Sequence, residues 1–242
     1  MKNLLLIFSL FALTGVAIVM ALPGFIKTVQ GSDDFTLKSH AVDDFTKLTL
    51  NSAFVVDVTY SPTEKITVEA PSNLHDYIEP NVKSGTLHVK FIDTAKVSCK
   101  EPIKIHISTA QLNHFHLSGA VSVTLNNKLS TGNFSLNSSG AAAFKREMDV
   151  TKADIEMSGA ASTILVGMAD VADIEMSGAS QLKDFGFKIG KLNADLSGAS
   201  SAYITGVSSL NAKLSGASLF NYKGDPTISR MDKSGAASVK KN

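Results

Sequence analysis

Apolar and polar residues alternate in short runs along the chain, with turn-forming residues between the runs. Alternation with a period of two is typical of a β-strand that buries one face. It predicts four strands in the first half of the chain, at 54–60, 66–69, 85–91 and 103–107. No segment has the longer period of an extended helix, and the best helical candidate is a short stretch from Asn73 to Ile78.

A tripeptide repeat dominates the second half of the chain. Ser-Gly-Ala occurs seven times, and the glycines are 21, 19, 19, 20, 18 and 19 residues apart. A nearly constant interval of this length indicates a stack of similar structural units. The repeated glycines are Gly119, Gly140, Gly159, Gly178, Gly198, Gly216 and Gly235.

The residues around each glycine alternate in the same way. Positions four before and four after it are mostly apolar, as Leu136 and Phe144 are around Gly140, or Ile174 and Leu182 around Gly178. Each unit therefore contains at least two short strands joined by corners. Nineteen residues are too few for a strand-helix-strand crossover, so the repeat predicts one coil of a β-solenoid, with equivalent residues of successive coils about 4.8 Å apart.

Stacking gives the tripeptide a structural explanation. A bulky side chain at a tight corner would collide with its copy in the next coil, whereas glycine adopts positive φ and alanine fits inside the bend. Serine can hydrogen-bond to the backbone of the turn. If these serines were nucleophiles, each would need a positioned base, but the repeat carries no histidine beside its serine. The serines are therefore interpreted as structural.

The chain divides into three predicted parts. Residues 1–21 form an apolar run behind Lys2 that is typical of a secretory signal peptide or, if it is not cleaved, of an N-terminal membrane anchor. Residues 22–42 are expected to be a linker or entry segment, and 43–242 a single solenoid domain. Within it, 111–242 carries the repeats, and 43–110 forms either irregular coils or a β-rich cap over an otherwise open edge.

Composition excludes two classes of protein. The chain has 242 residues, of which 44% are hydrophobic, and its 23 basic and 22 acidic side chains give a net charge of +1. This composition excludes a disordered tail and argues against a protein that binds nucleic acid electrostatically. Cys99 is the single cysteine, so no intramolecular disulfide forms, and an inert thiol is expected.

The recurrent Leu/Met-Ser-Gly-Ala, together with Gly85-Thr86-Leu87 and the run from Ile103 to Ser108, resembles the putative auto-transporter adhesin head GIN domain family. The resemblance covers roughly residues 43 to 225. It implies a right-handed parallel β-helix that is exported to the periplasm or cell surface of a Gram-negative bacterium. It also implies a family without an established enzymatic activity.

Three groups of side chains are candidates for chemistry. An acidic column on adjacent coils is either a solvated face, with Lys152, Lys191 and Lys213 as counter-charges, or a weak Ca²⁺ site. His106, His114 and His116 are expected to lie on the surface, with a metal site as the alternative. Tyr203, Tyr222, Phe144 and Phe220 lie on equivalent segments and are expected to pack in the core or at edges. The acidic column consists of Asp154, Glu156, Asp173, Glu175 and Asp195.

The sequence therefore predicts an all-β, exported, non-enzymatic binding or structural module at the bacterial cell envelope, as in an adhesin head. The expected partner is a surface glycan or a protein of the envelope or host, with no nucleic acid and no cofactor. Membrane contact is expected only through an uncleaved N-terminal segment. The protein is expected to be located in the periplasm, on the outer surface or outside the cell as a secreted protein. The alternatives are a β-helical enzyme acting on polysaccharide and a periplasmic scaffold for a protein partner.

Overall fold

The computed structural model describes residues 27–92 and 95–242. Within these ranges, no helix is long and apolar enough to cross a membrane. The segment 1–21, with its two predicted roles, lies outside the described residues. One 3₁₀ helix, Ser72–Tyr77, interrupts the strands close to the predicted helical stretch.

The described chain is otherwise built of 21 strands in two sheets. The strands are β1 Lys27–Gln30, β2 Phe35–His40, β3 Lys47–Ser52, β4 Phe54–Tyr60, β5 Lys65–Pro71, β6 Ile78–Lys83, β7 Thr86–Phe91, β8 Ala95–Ser98, β9 Ile103–Thr109, β10 His114–Gly119, β11 Ser122–Leu125, β12 Leu129–Ser138, β13 Ala143–Met157, β14 Ser162–Met176, β15 Gln181–Lys183, β16 Phe187–Leu196, β17 Ser201–Thr205, β18 Ser209–Leu214, β19 Leu219–Lys223, β20 Thr227–Lys233 and β21 Ser238–Lys241.

The second half of the chain is a β-solenoid, as the repeat predicts. All neighbouring strands from β10 to β21 pair in parallel. Strands β13 and β14 are in register from Ala143 opposite Ser162 to Met157 opposite Met176, a constant offset of 19 residues. Each column of the sequence repeat is therefore a physical ladder across the coils.

Each coil turns at its Ser-Gly-Ala corner. All seven repeat glycines have positive φ, from 65° at Gly178 to 84° at Gly119. The backbone N–H of the following alanine donates to the carbonyl of the previous corner, as Ala179 does to Gly159 at 2.7 Å. The corners are thus hydrogen-bonded to one another as well as stacked.

The first half of the chain adds two coils whose order in space differs from their order in sequence. Strands β3 and β4 lie between the coil of β7 and β9 on one side and that of β10 and β11 on the other, all in parallel. Antiparallel strands then continue the sheet, with β6 on β7, β5 on β9 and β2 on β5. The segment expected to be a linker thus contains β1 and β2, and β1 pairs with β8.

The interior is a continuous apolar column with one conspicuous exception. Phe115, Leu136, Ile155 and Ile174 stack on successive coils and are 1 to 2% exposed. Arg146 is also only 1% exposed. Its guanidinium lies inside this column, over the rings of Tyr60, Phe115 and Phe134, at the junction of the first-half coils with the repeats.

Candidate functional site

The acidic residues singled out in the sequence lie together on one outward surface. Strand alternation places the intervening apolar residues inside, so these side chains all point away from the core. Asp154 is opposite Asp173, which is opposite Asn193, and Glu156, Glu175 and Asp195 form a parallel column two residues away. We call these five acids, with Asn137, Asn193 and Lys213, the acidic face.

Neighbouring side chains neutralise part of the acidic face. Lys152 Nζ lies 2.9 Å from Asp154 Oδ1 and 3.2 Å from Asp173 Oδ2. Asn193 donates to Asp173 Oδ1 at 2.7 Å. This amide, followed by Lys152, holds the pKa of Asp173 below its usual range despite partial burial. The carboxylate of Asp173 is therefore held as an anion at neutral pH.

In the second column, only the carboxylates at the two ends have side-chain partners. Asn137 donates to Glu156 Oε2 at 2.7 Å, and Lys213 Nζ lies 3.1 Å from Asp195 Oδ2. Glu175 lies between these two acids in register, and its side chain makes no hydrogen bond or ion pair with any described residue. An open depression of about 660 Å³ runs along both columns. Its centre therefore presents free carboxylate oxygens to solvent.

The described residues contain no group of three or more His, Cys, Asp or Glu that is arranged to hold a metal ion. Within each column of the acidic face, successive carboxylates extend from different coils, and Lys152 is paired with both Asp154 and Asp173. The geometry favours the solvated surface over the Ca²⁺ site considered from the sequence.

The structure separates the three histidines. His114 and His116 lie on β10, which pairs with β3 and β12, whereas His106 lies on β9, which pairs with β4 and β5. Burial, reinforced by Lys47, lowers the pKa of His114. The sequence placed His114 and His116 correctly on one polar side, but His106 does not join them.

His106 instead belongs to a polar cluster that the sequence did not indicate. Its Nδ1 lies 3.7 Å from Asp57 Oδ2 and its Nε2 lies 3.6 Å from Glu69 Oε2. Lys104 Nζ bonds to Glu69 Oε1 at 2.9 Å and is the main reason that the pKa of Glu69 is lowered. These residues meet because β5 returns antiparallel onto β9, a pairing that alternation alone does not encode.

The aromatic side chains divide between core and surface. Phe144 and Phe220 are 2% and 0% exposed, and Tyr222 is also buried, as expected. Tyr203 is half-buried and meets Phe185 edge to face, with ring centroids 5.3 Å apart. The repeat pattern does not single out Phe185, although the 20-residue interval from Gly178 to Gly198 is a local signal of irregularity. Cys99 is a half-buried free thiol that packs against the core.

Comparison with known families gives one match that spans most of the chain. The model of the family described as "Putative auto-transporter adhesin, head GIN domain" matches residues 44–226. No curated protein matches the chain.

Three crystal structures share the fold. A putative adhesin from Bacteroides fragilis superposes with a TM-score of 0.83 at 23% identity, covering 88% of this chain and 100% of that one. A putative adhesin from Parabacteroides merdae gives 0.74 at 22%, covering 89% and 99%. One from Parabacteroides distasonis gives 0.73 at 18%, covering 89% and 100%. At these identities the likeness establishes the fold alone.

Proposed function

The chain belongs to the family described as putative auto-transporter adhesin, head GIN domain, and on that premise we propose that it is an exported, non-enzymatic binding module of the bacterial cell envelope. Its ligand is a surface glycan, and the acidic face is the binding surface. The observation that carries this proposal is the open depression of about 660 Å³ in which carboxylates and amides from successive coils point outward.

The chemistry of the acidic face suits sugar hydroxyls. Carboxylate oxygens accept hydrogen bonds, while the amides of Asn193 and Asn137 donate and accept. Backbone pairing fixes these groups on rungs about 4.8 Å apart, so a chain of sugars can meet the same chemistry repeatedly along the face. The uncompensated charge at Glu175 disfavours polyanions. Neutral and amino-substituted glycans are therefore the expected ligands.

The same surface argues against the polysaccharide-cleaving alternative. Glycoside hydrolysis needs one carboxylic acid that burial keeps protonated beside a second that stays ionised. Glu156, Glu175 and Asp195 are exposed to solvent, and the carboxylates of Asp154 and Asp173 are paired with Lys152 Nζ at 2.9 and 3.2 Å. None of the five has the apolar surroundings of a general acid.

The experiment is a glycan-array screen followed by calorimetric titration of the best neutral or amino-substituted oligosaccharide. Glu175→Ala is expected to weaken binding by about tenfold, the loss of one or two charge-assisted hydrogen bonds. Gln181→Ala, an exposed polar truncation beyond the Ser-Gly-Ala corner, is the matched control and should leave binding unchanged.

Two results would contradict the proposal. Equal losses in both variants would move binding away from the acidic face. Release of new reducing ends from the bound oligosaccharide, abolished by Glu175→Ala, would establish the enzyme instead.

A further inference from the structure

An irregularity in one coil places an aromatic side chain outside the solenoid. Strand β15 pairs with β14 at an offset of 19 residues, as Lys183 does with Ile164, but beyond it Phe187 pairs with Gly167 at an offset of 20. One extra residue is therefore accommodated between Lys183 and Phe187. Asp184 adopts φ of 74° there, a left-handed conformation that is unfavourable for a residue other than glycine.

The extra residue brings Phe185 to the surface on the coil that follows two exposed aliphatic side chains. Phe185 is half-buried against Tyr203, and Lys223 Nζ lies 4.2 Å from the centre of its ring. On the preceding coil, Val166 and Met168 are 40% and 48% exposed on either side of the corner at Gly167. Two large aliphatic side chains this exposed on both sides of one glycine indicate an interaction surface.

Lysines surround these apolar groups. Lys183, Lys188 and Lys223 are exposed, and none forms an ion pair with a described residue. Glu147 and Asp149, on the coil before Val166 and Met168, are paired with Lys128. Asp170 and Asp184 are the exposed acids close in sequence to the apolar groups, so the three lysines outnumber them. We call Val166, Met168, Phe185 and these three lysines the apolar-lysine patch, and its net charge is positive.

We propose that the apolar-lysine patch docks the solenoid onto an anionic lipid bilayer. Aliphatic and aromatic tips on a convex corner can enter the headgroup region, while lysines bind lipid phosphates and keep their ammonium groups in water. Two copies joined through this patch would bring lysines against lysines. A bilayer satisfies both the exposed apolar side chains and the unpaired positive charge.

This surface is separate from the acidic face. The acidic face is formed by the segments that precede the Ser-Gly-Ala corners. Val166 and Met168 instead lie beyond the segment that follows the corner at Gly159, in the first half of β14. Docking through the patch therefore leaves the acidic face free, and the two proposals stand or fall independently.

A single-tryptophan reporter tests the proposal, because the sequence contains no tryptophan. In Met168→Trp, mixed phosphatidylglycerol and phosphatidylcholine vesicles are expected to shift the indole emission to shorter wavelength, and brominated lipids to quench it. The shift reports insertion at this corner whether or not residues 1–21 also contact the membrane. Asn211→Trp, which places the reporter on the strand segment of the acidic face, should show neither effect.

Charge reversal tests the lysines in the Met168→Trp background. Lys188→Glu with Lys223→Glu should weaken partitioning by at least about 25-fold, roughly fivefold for each lysine. The control pair, Lys65→Glu with Lys83→Glu, changes net charge equally at exposed positions of the first-half strands and should have little effect.

Three outcomes would overturn the proposal. The first is an unchanged spectrum with anionic vesicles. The second is an equal shift with phosphatidylcholine alone. The third is a protein-concentration-dependent shift without vesicles, which would identify a second copy as the occupant.

Discussion

Arg146 occupies a position where strand alternation calls for an apolar side chain. Its guanidinium lies 5.3 Å from the ring centres of Phe115 and Phe134 and 5.6 Å from that of Tyr60. It donates to the carbonyl oxygen of Leu112 at 3.3 Å and to the hydroxyl of Tyr60. Burial lowers its pKa to about 10, because no carboxylate offsets the lost hydration.

Replacing Arg146 distinguishes how its packing and its buried charge each contribute to the free energy of unfolding. Tyr60 also donates to Leu112 at 2.7 Å, so that bond persists without the arginine. Arg146→Met removes a buried charge and keeps most of the volume, and we expect the free energy of unfolding to change by no more than about 1 kcal/mol. Arg146→Lys keeps the charge and loses the planar contacts, and should cost about 3 kcal/mol.

Urea denaturation of both variants measures the difference. Lys145→Met, on the exposed side of the same strand, is the control and should be nearly neutral. A larger loss in Arg146→Met than in Arg146→Lys would show that the charge itself stabilises the junction.

At the scale of elements, local pattern predicts strands well and pairing poorly. The run 54–60 is the strand Phe54–Tyr60, and 103–107 is the core of Ile103–Thr109. Alternation sets which residues are inside, but it is the same for parallel and antiparallel neighbours. The sequence therefore could not place β5 against β9, nor bring Asp57, Glu69 and His106 together. Repetition supplied the missing information in the second half, because equal spacing fixes the register.

The corner glycines are predicted to be essential for stability, because there is no room for a side chain at these positions. A Cβ added at Gly178 would lie 2.5 Å from the carbonyl oxygen of Gly159 and 2.9 Å from its nitrogen. Its φ of 65° is also strained for a β-branched residue. Gly178→Val is therefore expected to lower the free energy of unfolding by more than about 2 kcal/mol.

Gly132→Val is the matched control, because a Cβ there meets nothing within 4 Å. It should change stability by less than about 1 kcal/mol. Thermal and urea unfolding of the two variants make the comparison. An unchanged midpoint in Gly178→Val would mean that the corners relax without cost, contrary to the stacked geometry.

At the scale of the whole molecule, the solenoid is nearly one-dimensional, since each coil contacts only its neighbours. Its two ends differ. Antiparallel strands extend the first-half end, and there Ile66 and Val68 of β5 are fully buried. At the other end β20 pairs only with β18, and β21 only with β19, among the described strands. Every residue of β20 except Met231 is exposed. The corner Ser234-Gly235-Ala236 does not distinguish this coil, but Lys233 stands two residues before the glycine, where the two preceding coils have Leu196 and Leu214.

Stability should consequently decrease toward this end. Opening the coil of β20 and β21 exposes little apolar surface, because Ile228 is already 48% exposed and Met231 half-exposed. Opening β18 would expose Leu210, Ala212 and Leu214, which are 0 to 1% exposed. Hydrogen exchange measured by mass spectrometry should therefore show protection in β20 and β21 at least about tenfold lower than in β18 and β19. Equal protection would mean that the last coil opens only when the whole solenoid unfolds. Repeating the hydrogen-exchange measurement at lower protein concentration would then show whether a second copy of the chain covers this coil.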